Sequence, residues 1–136
     1  MLDSDTCIEI IRGDKTHVDK RYRALLNEDS ENKVVLSAIV YAEIAVGQVG
    51  RARKGRPQAG VDEFLTSFET IPWDKAAAAM YATIRDELER RGLRIGTEDM
   101  MIAAHAIITP AILVTNNTSR FDRLSPPLRL ENWIAS

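Results

Sequence analysis

An α/β domain with a mainly parallel sheet covered on both faces is the fold class that three observations predict. Short apolar runs, bounded by polar residues, alternate with longer segments whose apolar residues recur at helical spacing. One late helix is apolar almost all round, as a helix buried on most sides is. The 136 residues are enough for one domain, residues 1–136, to bury a core without disulfides or metal staples.

In chain order, Leu2 ends a very short strand, short enough that a residue or two upstream of Met1 would be unsurprising. Thr6 and Glu9 fit a capping box for a helix running to about Arg12, which places Asp3 at a strand-to-helix junction. Gly13-Asp14 breaks the pattern. Val18, Tyr22, Leu25 and Leu26 define a second helix, closed by polar Asn27 to Asn32. Val34-Val35-Leu36 reads as a buried strand, and Ser37 caps a helix whose stripe is Ile39, Val40, Ile44 and Gly47. At about 100° per residue Glu43 falls near the middle of that stripe.

Arg51-Ala52-Arg53-Lys54-Gly55-Arg56-Pro57 is a basic, breaker-rich connection. A solvated loop is the commoner meaning of such a run; contact with a phosphate backbone is the other. Val61, Phe64, Leu65 and Phe68 suit an amphipathic helix, and Glu69 to Pro72 a strand. Asp74 caps a long helix from Lys75 to Arg91, ended by Gly92. The apolar helix follows, with Thr97 as its N-cap and Glu98 and Asp99 in its first turn, where exposed N–H groups favour negative charge. Asp99, however, shares a face with Ile102, Ala103, Ala106 and Ile107, so it points inward and needs a partner. Pro110 to Val114 holds a buried strand, Thr115 to Thr118 a polar stretch at its carboxyl end, and Leu128 to Glu131 a last strand, with Trp133 anchoring the tail.

Composition narrows the chemistry. Apolar residues at 45% and charged residues at 28% exclude a mainly disordered chain. With Cys7 as the only cysteine there is neither a disulfide framework nor a thiolate zinc site, and His17 and His105 lie in no zinc spacing. His105, on a face away from Asp99, suits a satisfied core or interface histidine better than a catalytic one. A net charge of −2 means that nucleic acid would need a local basic patch. With no leader and no apolar run long enough to span a bilayer, the expectation is a cytoplasmic protein with no membrane contact. In a parallel sheet, ligands bind beyond the carboxyl ends of the strands. Asp3, Glu43, Asp99 and the Thr115–Asn117 stretch can converge there. Acids brought that close repel one another unless a cation compensates, and a hard divalent ion takes such oxygen ligands and suits phosphodiester hydrolysis.

Leu2-Asp3-Ser4-Asp5-Thr6, Ser37 through Ile44, Ile95 through Ala106 and Leu113 through Phe121 resemble the successive motifs of the PIN-domain family, and most closely its VapC-type toxins. The likeness extends to Glu131-Asn132-Trp133. It implies a three-layer α/β/α sandwich, endonucleolytic RNA cleavage dependent on Mg²⁺ or Mn²⁺, a homodimer, and a small antitoxin that inhibits the toxin. Asp3, Glu43 and Asp99 match the family's shared acids, with Asp3 and Asp99 as metal ligands. Thr115 matches a supporting hydroxyl, and Asn117 a position that is Asp in many members and Asn in some toxins. Ser37 and Asp5 complete the expected supporting set, and Arg51, Arg53, Lys54 and Arg56 are the candidate RNA contacts. Two departures stand out. Asp5 occupies a position where Asn is commoner, and Arg120 one where many relatives carry a fourth acid, a ligand then missing unless Asp122 or Asp5 replaces it. Arg120 keeps open a second expectation, a PIN-like module that has lost catalysis and only binds protein. The Asp3-Ser4-Asp5 sequence also resembles the paired aspartates of haloacid dehalogenase-like phosphatases, but Thr6 and Cys7 fit that motif poorly.

Overall fold

The computed structural model describes residues 1–13, 16–28, 33–124 and 128–134. Its elements run α1 (Ser4–Arg12), α2 (Thr16–Asn27), β1 (Val35–Ser37), α3 (Ala38–Arg53), α4 (Val61–Thr66), β2 (Glu69–Ile71), α5 (Lys75–Arg90), α6 (Thr97–Ile108), β3 (Leu113–Val114), α7 (Thr118–Phe121) and β4 (Leu130–Glu131). They form the three-layer α/β/α sandwich with a parallel sheet that the alternation predicts.

The sheet is assembled from two parallel pairs. In one, Val35 of β1 lies opposite Glu69 of β2 and Ser37 opposite Ile71; in the other, Leu113 of β3 lies opposite Leu130 of β4. The segment Met1–Asp3 joins them. Leu2 N–H donates to the Val35 carbonyl (3.2 Å), Val114 N–H to the Met1 carbonyl (2.8 Å), and Asp3 N–H to the Val114 carbonyl (3.0 Å). Leu2 bridges Val114 in the parallel sense, so the short strand expected at Leu2 is the middle of the layer. Every strand then ends on the same side, and Asp3, Ser37 and Thr115 lie at neighbouring carboxyl ends.

Leu2, Leu36 and Leu113 are fully buried, as strands covered on both faces should be. Against them pack Cys7 of α1, Val18 of α2, Val40 of α3, Ile84 of α5 and Ala103, Ala104 and Ala106 of α6. Small side chains set the spacing between α5 and α6, the most extensively paired helices: Ala77 on one and the alanines of the other are completely covered. Trp73 Nε1 donates to the Met101 carbonyl (3.0 Å), tying the entry to α5 onto α6. Gly92, at φ +67°, ends α5 as expected, and Leu93 N–H returns to the Leu88 carbonyl (2.9 Å). Trp133 is buried, as an anchor for the tail should be.

Several local expectations are corrected. No capping box forms at Thr6. Asp3 itself is the N-cap of α1, its Oδ1 accepting from Thr6 N–H (2.9 Å), because the chain turns directly out of the strand. Gly96, not Thr97, caps α6, with no side-chain bond. The buried line of α3 is Val40, Ile44 and Gln48, so Glu43 lies about 100° round from Ile44 on an exposed edge rather than mid-stripe. The basic connection is not a loop from its start, since α3 continues through Arg53. Gln48 explains this: its Nε2 donates to the Gln58 carbonyl (3.0 Å) and its Oε1 accepts from Gln58 N–H (3.1 Å), pinning the returning chain to the helix. The expected break at Asp14 and most of the polar segment closing α2, residues 29–32, fall outside the described residues.

Leu36→Ala should cost about 2–5 kcal/mol, because it opens a cavity in a strand covered on both faces. Leu26→Ala, at a side chain 60% exposed, should stay within about 0.5 kcal/mol. Urea denaturation of the two variants measures the contrast.

Candidate active site at the carboxyl end of the sheet

Each predicted acid reaches this end by a different route. Asp3 comes straight off the central segment and is buried, 7% exposed. Burial pushes its carboxyl above the ordinary value; the Thr115 and Thr6 hydroxyls and the Thr6 N–H favour the charged form, and the charge of Asp5 opposes it. Glu43 sits in the second turn of α3. Its partial withdrawal from water raises its pKa first. The charges of Asp99, Glu98 and Asp3 raise it further, while the Ser4 hydroxyl partly offsets them. That hydroxyl is buried and closes no hydrogen bond of normal geometry. Asp99 stands in the first turn of α6, where Gly96 makes room for it: a Cβ on Gly96 would lie 3.4 Å from Asp99 Oδ2.

Glu43 thus feels the charges of both other acids, although the three come from the first, third and sixth helical connections of the chain. Among the described residues, no three His, Cys, Asp or Glu side chains close into a ready metal cage. Asp99 is turned to Arg120, whose Nη1 donates to Asp99 Oδ2 in an ion pair.

The supporting residues are in place around them. Thr115 is fully buried and its Oγ1 accepts from Asn117 N–H (3.0 Å), and Asn117 is the N-cap of α7. Asn117 Nδ2 reaches Asp5 Oδ2 at 3.4 Å, so Asp5 stands beside Asp3, whereas Asp122 lies exposed at the far end of α7. Ser37 is the N-cap of α3, its Oγ accepting from Ile39 N–H (3.1 Å). It also meets Nδ1 of His105 at 2.7 Å. His105 is fully buried, which supports the core reading, but its Nε2 closes no hydrogen bond. Burial lowers its pKa, against weaker opposing effects of the Asp74 charge and the Pro72 carbonyl. The Ser37–His105 contact was not legible in sequence; the only signal was a histidine inside an otherwise apolar helix.

The basic residues lie apart from the acids. Along α3, Arg51 and Arg53 stand about 12 and 15 Å beyond Glu43, a separation of two or three nucleotides. Arg51 is half-buried and folds back to Gln48 Oε1, while Arg53, Lys54 and Arg56 are exposed. A concavity of about 430 Å³ opens near Met1, Val34 and Ile112, and among its described lining residues Glu131 is the one acid. It has no groups for acid-cluster chemistry.

Residues 1–125 match the model of the PIN domain. The chain is 39% identical to Ribonuclease VapC2 of Rickettsia felis, covering 98% of this chain and 96% of that one. It is 33% identical to the tRNA(fMet)-specific endonuclease VapC of Salmonella typhimurium over the same shares. In solved structures it superposes on VapBC2 from Rickettsia felis bound to a DNA fragment from their promoter, with a TM-score of 0.85, 35% identity and coverage of 98% and 97%. DNA-bound VapBC from Salmonella typhimurium gives 0.83, at 34% identity and coverage of 98% and 96%.

Asp3→Asn keeps an oxygen to cap α1 but removes a buried charge. Because the folded-state pKa of Asp3 is raised, the folded protein holds that proton to higher pH than the unfolded chain does. The cost of the charge is therefore absent at low pH and grows as pH rises through the folded value. In chelator at pH 7 the variant should be more stable by about 1 kcal/mol, the usual scale for relaxing a strained site. Urea titrations from pH 7 down toward the ordinary carboxylate range should show that advantage shrinking.

Proposed function

The chain belongs to the PIN-domain family, among its VapC-type toxin–antitoxin ribonucleases, and on that premise we propose that it is a metal-dependent endoribonuclease that cleaves RNA phosphodiester bonds. One observation carries the reading. Asp3 and Glu43, from separate segments, both have raised pKa values, and the charges pressing on Glu43 are those of Asp99, Glu98 and Asp3. Acids placed so that they repel are stabilised by a cation.

The donors fit Mg²⁺ or Mn²⁺. They are hard oxygens, from Asp3 and Asp99 with Glu43 and Asp5 beside them, and the buried, unsatisfied Ser4 hydroxyl faces the same space. A bound divalent ion would supply an activated water and offset charge on the phosphate oxygens. Asp3 and Asp99 would hold it. Glu43, whose carboxyl pKa is raised, orients water and receives or returns its proton. Thr115, through Asn117, fixes the loop that faces Asp5. Ser37 and His105 keep the start of α3 against α6, so that Glu43 and Asp99 hold their spacing. Arg53, Lys54 and Arg56 engage phosphates two or three nucleotides away.

The partner is a cognate antitoxin. The structures named above are of VapBC complexes, and α3 carries an apolar exposed face at Tyr41, Val46 and Val49, of the sort that a protein partner covers. A homodimer and a cytoplasmic setting complete the reading; among the described residues no helix is long and apolar enough to cross a membrane. A protein-binding module without catalysis is the second reading, favoured by the ion pair that occupies Asp99.

Incubation with an RNA panel that includes initiator tRNA, in Mg²⁺ or Mn²⁺, tests the first reading. Asp99→Asn and Glu43→Gln should each lower the cleavage rate about 10²-fold or more, and equal rates in parent and Asp99→Asn would sink it. Calorimetry showing no metal uptake at millimolar concentration would favour the module. Neutralising Arg53, Lys54 and Arg56 together should reduce the slope of log affinity against log salt by about 2, at roughly 0.7 per phosphate of single-stranded RNA.

A further inference from the structure

Arg120 is the one cation among the described residues that pairs with any of the three acids, and it pairs with a proposed metal ligand. Its backbone is well held. It lies on the single turn of α7, where Arg120 N–H donates to the Asn117 carbonyl (3.0 Å) and Asn117 N–H to Thr115 Oγ1 (3.0 Å), directly beyond the end of β3. Its side chain is not. The Arg120 side chain is 44% exposed and that of Asp99 27%, so the pair is partly screened by water and holds weakly. Holding a guanidinium and a divalent cation on the one carboxylate of Asp99 is unfavourable, because the two positive groups repel at a few ångströms.

We propose that Arg120 is a metal-displaced cation: it neutralises Asp99 in the metal-free protein and, once a divalent ion takes that oxygen, turns to the phosphate of the bound RNA. This rests on the nuclease reading. The anchored turn keeps the freed guanidinium at the rim of the site, and its planar fork of donors matches two phosphate oxygens. The departure that argues against catalysis in sequence thereby becomes a substrate contact. It also implies that metal and RNA bind cooperatively, since each removes a competitor for the other's partner.

Side-chain nitrogen NMR of the full chain reads the displacement directly, with the Arg120 signal assigned by its loss in Arg120→Gln. The expected result is a paired, slowly rotating guanidinium in chelator that becomes mobile as Mg²⁺ saturates. Mg²⁺ binding by calorimetry with the Arg120 signal unmoved would overturn the proposal. Arg120→Gln should bind Mg²⁺ about two- to fivefold tighter than the parent, and equal affinity would also overturn it. With Mg²⁺ saturating, a 2′-O-methyl RNA oligomer should bind Arg120→Gln about three- to tenfold more weakly than the parent, while in chelator the two should match. Loss of that difference removes the phosphate role. Mg²⁺ that displaces Arg120 in a protein that cleaves no RNA supports the displacement and rejects the nuclease reading. RNA cleaved with Arg120 still on Asp99 does the reverse.

Discussion

Three backbone hydrogen bonds at Met1–Asp3 govern the rest of the molecule. They make this segment the centre of the parallel layer, between Val35 on one side and Val114 on the other. Without them β1–β2 and β3–β4 are two separate pairs, and a two-stranded pair is marginal in water. The same bonds fix the exit of the chain. Asp3 leaves the sheet between Ser37 and Thr115, caps α1, and is held where its charge is costly. Fold and site are therefore not independent: the residue that ends the central segment is also, among the described residues, the acid most withdrawn from water.

Alternation of apolar runs with helical periods made the fold class readable, because it depends on local pattern. Sequence also singled out the acids of the candidate site, though its reason for Glu43 was partly wrong. Glu43 was expected in the apolar stripe of its helix, yet it stands on an exposed edge, and its nearness to the site shows instead in the charges of Asp99, Glu98 and Asp3 that press on it. The true buried line ends at Gln48, a polar residue at the same spacing of four as Val40 and Ile44, which the structure covers because its amide satisfies both backbone groups of Gln58. Caps were misplaced at Thr6 and Thr97 for a related reason. Capping residues are common, and only tertiary context says that Asp3 already fills one role and that Gly96 leaves space for a carboxylate. Pairings distant in sequence, Ser37 with His105 and Arg120 with Asp99, carry no local signal.

The candidate site is a balance of small electrostatic compensations rather than a rigid cage. Hydroxyls of Thr115, Thr6 and Ser4 face the two acids with raised pKa values, an arginine covers the third, and Asn117 stands where a further acid would add to the repulsion. Such a site stores strain in its electrostatics and keeps the backbone beneath it regular. The apolar turns of α6 behind Asp99, fully covered at Ala103, Ala104 and Ala106, provide the stiffness that the acids themselves lack.

The bridge from Leu2 to Val114 also has a temporal meaning. Its partners are 112 residues apart, so the middle of the sheet is closed by one of the longest-range contacts the chain contains. Local helices can form while synthesis proceeds, but this contact must wait until almost the whole sequence exists, and closing so large a loop is slow. Asp3 acquires its place beside the other acids only at that moment. A polypeptide truncated before Val114 lacks the contact that seats Asp3 at the carboxyl end of the sheet, so the three acids come together only when nearly the whole chain is present.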